Sequence, residues 1–188
     1  MARPLPIALL AALAGALMLA LALGPAAGGA AAAKCSGADR PAARMSGEKA
    51  ERLTLCLLNK QRAKHGLKRL RVQKNQDRAA SRHNRRMVRK ACFSHECPGE
   101  PDLVGRLTKA GYLPCGCSWM VGENIAWGSG SYGSPRRIVG SWMESAGHRE
   151  NILNPRFEHI GVAVTSGSPG GGYRDAATYT TDFGFKSG

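Results

Sequence analysis

The sequence predicts an α+β fold, with helices first and an antiparallel strand pair last. Three observations lead there. Apolar residues recur at helical spacing around Leu53, Cys56 and Leu57, and again around Ala79, Ala80, His83 and Met87. Ile160, Val162 and Val164 alternate with Gly161 and Ala163, which is the two-residue period of a strand. A second alternating run, 177–185, places Tyr179, Thr181 and Phe183 on one face, and the turn-forming stretch 166–172 joins the two runs as a hairpin.

The first segment stands outside the fold. Arg3 gives a short positive region, Ile7 to Gly24 is uninterruptedly apolar, and small residues end at Ala31-Ala32-Ala33. This is the pattern of a secretory signal peptide, 1–33, cut after Ala33. An uncleaved anchor is the rival reading, since the apolar run approaches the length needed to span a bilayer. A run dominated by Ala that grades into small residues favours cleavage, with no stable membrane span left afterwards. Lys34 before Cys35 does not suit a lipid-attachment site. The remaining chain is enough for one domain with a real core.

Residues 34–47 read as a small, polar lead-in held at Cys35. Ser46 caps a first helix that begins near Gly47 and ends at Gly66. Leu67, Leu70 and Val72 form an extended connector. A second helix runs from about Asn75 to Ala91, and His83 on its apolar face reads as a core residue. Pro101-Asp102 opens a short helix closed by Gly111. Val121 to Trp127 is extended, with Glu123 and Ile125 pointing the same way. Gly128 to Gly133 is a loop, Ser134 and Pro135 start a helix with Ile138, Val139, Trp142 and Met143 buried, and Gly147 is expected to end it.

Charge is lopsided. Of the 27 Lys and Arg against 13 Asp and Glu in the chain, residues 34–90 hold 18 against 4, whereas 91–188 hold 8 against 9. In an exported protein this surplus points to anionic cell-wall polymer or lipid, and not to nucleic acid. All six Cys lie beyond residue 33, as expected of a disulfide set. Their spacing does not suit a zinc ribbon. Cys115 and Cys117 are too close to pair with each other, given a usual Cα separation of about 5.5 Å. They are therefore expected to reach back to Cys92 and Cys97, leaving Cys35 for Cys56.

The stretch 121–157, VGENIAWGSGSYGSPRRIVGSWMESAGHRENILNPRF, is denser in polar, aromatic and glycine residues than a core needs. It resembles the signature region of the CAP superfamily (cysteine-rich secretory proteins, antigen 5, plant pathogenesis-related proteins), and most of all the secreted bacterial members. LNKQRAKHGLKRLRV and the FSH triplet at 93–95 resemble the family's first helix and its first cleft His. The resemblance implies a CAP-type α-β-α sandwich with a small antiparallel sheet flanked by helices, over 48–188. It also implies a central cleft lined by two His and two Glu. His95, Glu123 and His148 match three of these positions. The fourth is Ser145 here, with Glu144 one residue earlier and therefore about 100° round the helix. Glu144 is carried as a cleft candidate on that basis.

Two functional readings follow. One is a secreted binding module for a small lipid-like, sterol-like or wall-derived ligand. The other is a metal-assisted extracellular hydrolase using His95, Glu123 and His148. Neutral imidazoles suit Zn2+ or another divalent cation, so His95 and His148 are the candidate ligands. They are expected to converge on one cleft. Their carboxylate neighbour would then ligate or act as base. No H-E-x-x-H helix and no G-x-S-x-G elbow is present to support a standard hydrolase. The absent fourth group favours the binding module.

Overall fold

The computed structural model describes residues 34–113 and 118–187. The expected signal segment, 1–33, lies outside the described residues, as do Cys115 and Cys117.

Helix α1 spans Gly47–Lys64, with the Ser46 hydroxyl accepting the Lys49 N–H at 3.3 Å and Gly66 past its end at φ +67°. A two-residue strand β1, Arg71–Val72, follows. Helix α2, Lys74–Arg89, starts slightly earlier than its periodicity suggests, because the Gln73 side chain accepts from the amides of Asn75 and Gln76. Its buried face is Gln76, Ala79, Ala80, His83, Asn84 and Met87. Helix α3, Leu103–Lys109, is capped by Asp102, which accepts from the Gly105 N–H at 2.8 Å.

Strand β2 is Trp119–Ser129, and a 3-10 turn at Gly130–Gly133 leads to α4, Pro135–Glu144, capped by Ser134. Gly147 does not end this helix. The break falls at Ser145, whose ψ of 126° is extended, and α5 begins at once as Ala146–Leu153. Serine suits such a junction because its hydroxyl competes with helical bonding. Strands β3, His159–Ser166, and β4, Ala176–Lys186, form the expected hairpin.

The sheet order is β1-β3-β4-β2. All pairs are antiparallel except β1 with β3, which lines the connector up parallel to the first hairpin strand. Period two then sorts the side chains into layers. Ile160, Val162, Tyr179 and Phe183 join Leu57, Leu58, Ile138, Trp142 and Ile152 in the main core under α1, α4 and α5. On the other face lies α2. Gly161 is required there, because a Cβ at that position would collide with the Gln76 backbone. The α+β class and the helix–sheet–helix layering stand as expected.

Two further expectations change. The lead-in is part of the fold: Ala38 and Ala42 are buried, the Ala38 carbonyl accepts the Arg136 N–H, and Arg44 pairs with Asp175. Small apolar residues with no period concealed this. Cys92 pairs with Cys97 and not with either downstream cysteine. The chain turns sharply between the two, bringing their Cα atoms to 6.0 Å, within ordinary disulfide range. Cys35–Cys56 forms as expected, at a Cα separation of 5.9 Å.

Candidate functional site

The site forms where β2 meets the segment leaving α2. Glu123 and Ile125 both face the α2 side of the sheet, and Ile125 packs there with Met87 and Cys97. The Glu123 side chain is only 2% exposed, so its charge must be met inside the protein. Its Oε1 lies 2.7 Å from Nδ1 of His95, and its Oε2 accepts from Nη2 of Arg106 at 2.5 Å. Burial alone would raise the Glu123 pKa. The His95 hydrogen bond and the charges of Arg106, His83 and His95 outweigh burial and hold it below the usual carboxylate value.

Arg106 belongs to α3 and is 5% exposed. It also donates to the His95 carbonyl at 2.8 Å, so one guanidinium fixes both the carboxylate and the backbone that carries its partner. Sequence reasoning missed Arg106, and its only local signal was a cation in a short helix. His83 is fully buried, as its apolar face implied, yet it is polar in its contacts. Its Nδ1 is 2.8 Å from Glu100, and its Nε2 is 3.8 Å from Glu123. Asp182 stands directly opposite Glu123 in the β2–β4 register. It is fully buried beside the Glu123 carboxylate. Burial and the neighbouring Glu123 charge push its pKa well up, opposite in direction to the shift of Glu123.

The structure brings His95 and Glu123 together. His95 is 60% exposed at its side chain, and its Nε2 has no hydrogen-bond partner among the described residues. His148 sits in the first turn of α5, half-buried, with its backbone carbonyl bonded by Asn124. Asn151 donates to the Glu123 carbonyl at 3.2 Å and to the Asn124 side chain, tying α5 to β2. The His148 ring makes no hydrogen bond to His95 or Glu123. Glu144 is exposed at the end of α4 and has no ion pair among the described residues. A cleft of about 300 Å3 opens beside the pair, lined by His95, Glu96, Asp102, Leu103, Val104 and Glu123.

Glu123 is not free to serve as a zinc ligand. Both Glu123 oxygens are already engaged, one of them by a buried cation. Among the described residues, no three His, Cys, Asp or Glu side chains are arranged so that they could hold a metal ion. What the arrangement provides is an imidazole held at Nδ1 by a carboxylate, with Nε2 presented outward.

The three site histidines should titrate in different directions. The Glu123 hydrogen bond raises His95 above 6.5. Burial lowers His83, and burial with the nearby His95 charge lowers His148. In a histidine ring NMR titration, His95 is expected to lose its proton last of the three. A His95 midpoint below that of His148 would contradict this geometry.

Helices on both faces of a small sheet, with a buried glutamate and a histidine beside a small open cleft, define the scaffold. The family model for the cysteine-rich secretory protein family (CAP) matches residues 55–182, and the chain belongs to that family. It is 38% identical to the Bacillus subtilis protein YkwD over 121 residues, 63% of this chain and 44% of that one. It is 33% identical to the B. subtilis membrane protein YlbC over 114 residues, 61% of this chain and 31% of that one. The chain thus spans less than half the length of either relative. Among solved structures, it resembles an extracellular SCP-domain protein of Bacillus anthracis, with a TM-score of 0.60 and 28% identity over 73% of this chain and 40% of that one. An outer surface protein of Borrelia burgdorferi shares the fold, with a TM-score of 0.63 and 16% identity over 76% and 97% of the two chains. Among the described residues, no helix is long and apolar enough to cross a membrane.

Proposed function

We propose that this protein is a secreted binding module whose cleft holds a small polar fragment derived from the cell wall. The observation that carries this reading is the double engagement of Glu123. A carboxylate clamped by Arg106 and His95, with its pKa lowered, is a weak base and an unavailable metal ligand. It is well suited to fixing the cleft wall and orienting His95. The cleft chemistry narrows the ligand. Glu96 and Asp102 add acceptors beside His95, while Leu103 and Val104 supply the apolar lining. Donors such as amines and hydroxyls match that rim. A full sterol or long acyl chain would leave most of its apolar surface in water, since about 300 Å3 is the lower end of ligand-pocket size. The metal-assisted hydrolase draws no support from this donor set.

Native mass spectrometry of the secreted domain tests the reading. A low-mass adduct is expected on the wild type. It should be depleted in Val104→Trp, which fills the cleft, and in Glu96→Lys, which reverses an exposed rim charge without touching the core. Equal adduct occupancy in wild type and both variants would overturn the assignment of the cleft.

A further inference from the structure

A second concavity, along α2, differs in chemistry from the His95 cleft. It measures about 430 Å3 and is formed between α2, the 99–101 segment and α3. Its walls carry Arg82, Arg85, Arg86, Arg89, Arg106 and Lys109 against a single carboxylate, Glu100. Two of these cations are committed elsewhere. Arg106 is bound to Glu123, and Arg86 lies 3.6 Å from Glu100 and donates to the Pro98 carbonyl at 2.9 Å. Arg82, Arg85, Arg89 and Lys109 have no ion pair among the described residues.

From this we infer a second binding site, for a phosphodiester polymer with short polyol linkers, of the kind that makes up anionic wall polymers. Four uncompensated cations around one concavity repel each other, and a bound polyanion removes that repulsion. Positions 82, 85 and 89 recur at three- and four-residue spacing, so their guanidinium groups form a ladder on one face of α2, about 5.4 Å apart per turn. Arginine presents a planar fork of donors to each phosphate. The opposite wall is built and not loose. Arg86 pins residue 98, Glu100 holds His83 and the Cys97 amide, and Cys92–Cys97 closes the turn leading into it.

The lining argues against nucleic acid and lipid. It contains no aromatic side chain on which a nucleobase could stack. Its only apolar side chains are Ala79 and Pro101, and the rest of its apolar surface is the stems of the basic side chains, each ending in a charge that an acyl chain would bury. A concave cation array also meets a flat membrane poorly, whereas one strand of polymer can enter it. The two sites share α3, with Arg106 between them, but Arg82, Arg85, Arg89 and Lys109 line this concavity and not the His95 cleft.

Fluorescence anisotropy with labelled poly(glycerol phosphate) oligomers tests this on the full secreted domain. Arg82→Gln/Arg85→Gln/Arg89→Gln changes three side chains that make no hydrogen bond among the described residues, so the fold should survive, as a thermal melt will verify. The triple variant is expected to lose about tenfold or more in affinity at ~50 mM salt, and its slope of log K against log salt should fall by about two to three. The charge-matched control Lys64→Gln/Lys68→Gln/Arg69→Gln, outside the groove, should stay within about threefold of wild type. An equal loss in the control would mean a diffuse charge effect and would overturn the site. Stronger binding to polyglutamate, to single-stranded DNA or to phosphatidylglycerol vesicles than to poly(glycerol phosphate) would overturn the assigned ligand class.

Discussion

Arg62→Met is expected to destabilise the domain by about 4 kcal/mol or more, a large part of the roughly 5–15 kcal/mol that holds a typical domain folded. Arg62 lies in α1, is fully buried, and has no carboxylate partner among the described residues. Its guanidinium instead donates to four carbonyls: Lys68 at 2.7 Å, Ile152 at 2.9 Å, Asn154 at 2.8 Å and Phe157 at 3.0 Å. These are the orphan acceptors of the turn after α1, the end of α5 and the approach to β3. Methionine comes close in volume but leaves all four carbonyls unsatisfied. Charge-assisted bonds of this type contribute roughly 1.5–3 kcal/mol each, so even partial rescue by water leaves a large deficit. Arg62→Lys should recover a minor part, because an ammonium cannot reproduce the planar fork. Urea unfolding measures this as a lower midpoint at unchanged slope. A loss below about 1 kcal/mol would show that the carbonyls find other donors.

Glu123→Ala is the second large effect, at about 3–5 kcal/mol, because it leaves the Arg106 charge buried without its carboxylate. The cost is not the worth of the ion pair. It is the penalty of stranding a desolvated cation that keeps only the carbonyls of His95 and Pro101. Glu123→Gln should cost less, since the amide oxygen still accepts one bond. The pH dependence has a definite sign. The Glu123 pKa is lowered in the folded state, so its stabilisation is present above about 4.5 and is lost as pH falls through the folded value. His95 is raised, so its share is complete below about 6.5 and fades as pH rises through its folded value. The wild type should therefore exceed Glu123→Ala most between those limits, as read from unfolding midpoints across pH. A difference that keeps growing below about pH 4 would contradict the assignment.

Local signals carried most of the fold. The hairpin followed from the alternation of Ile160, Val162 and Val164, and α4 followed from Ser134 and Pro135, because these patterns act over a few residues. The site was legible in part. His95 and Glu123 were found through the resemblance of FSH and GENIA to a known family, and the geometry places them in contact. Arg106 and Asp182 were not found. Their roles come from pairing across 17 and 59 residues of chain, and nothing local marks an arginine in α3 or an aspartate in β4 as buried. His83 was read as core from its apolar face, and that same face carries it under Glu123. The Cys92–Cys97 bridge was misread because spacing says how far apart two cysteines are, not how tightly the chain turns between them. Residues 34–47 were read as a lead-in because Ala38 and Ala42 have no period to reveal their burial.

The arginines of α2 belong to the basic surplus that the sequence shows over residues 34–90. What the sequence did not contain was the opposite wall. Only the fold of 98–101 and α3 against α2 turns a solvated stripe into a groove.

The central claim is that the His95–Glu123 cleft binds a wall fragment without cleaving it. Incubating the domain with soluble bacterial wall fragments, and weighing those fragments by mass spectrometry before and after, tests it directly. The account predicts fragments retained by the domain with unchanged masses, and retention lost in His95→Ala. New, smaller products that form with the wild type and not with His95→Ala would contradict it.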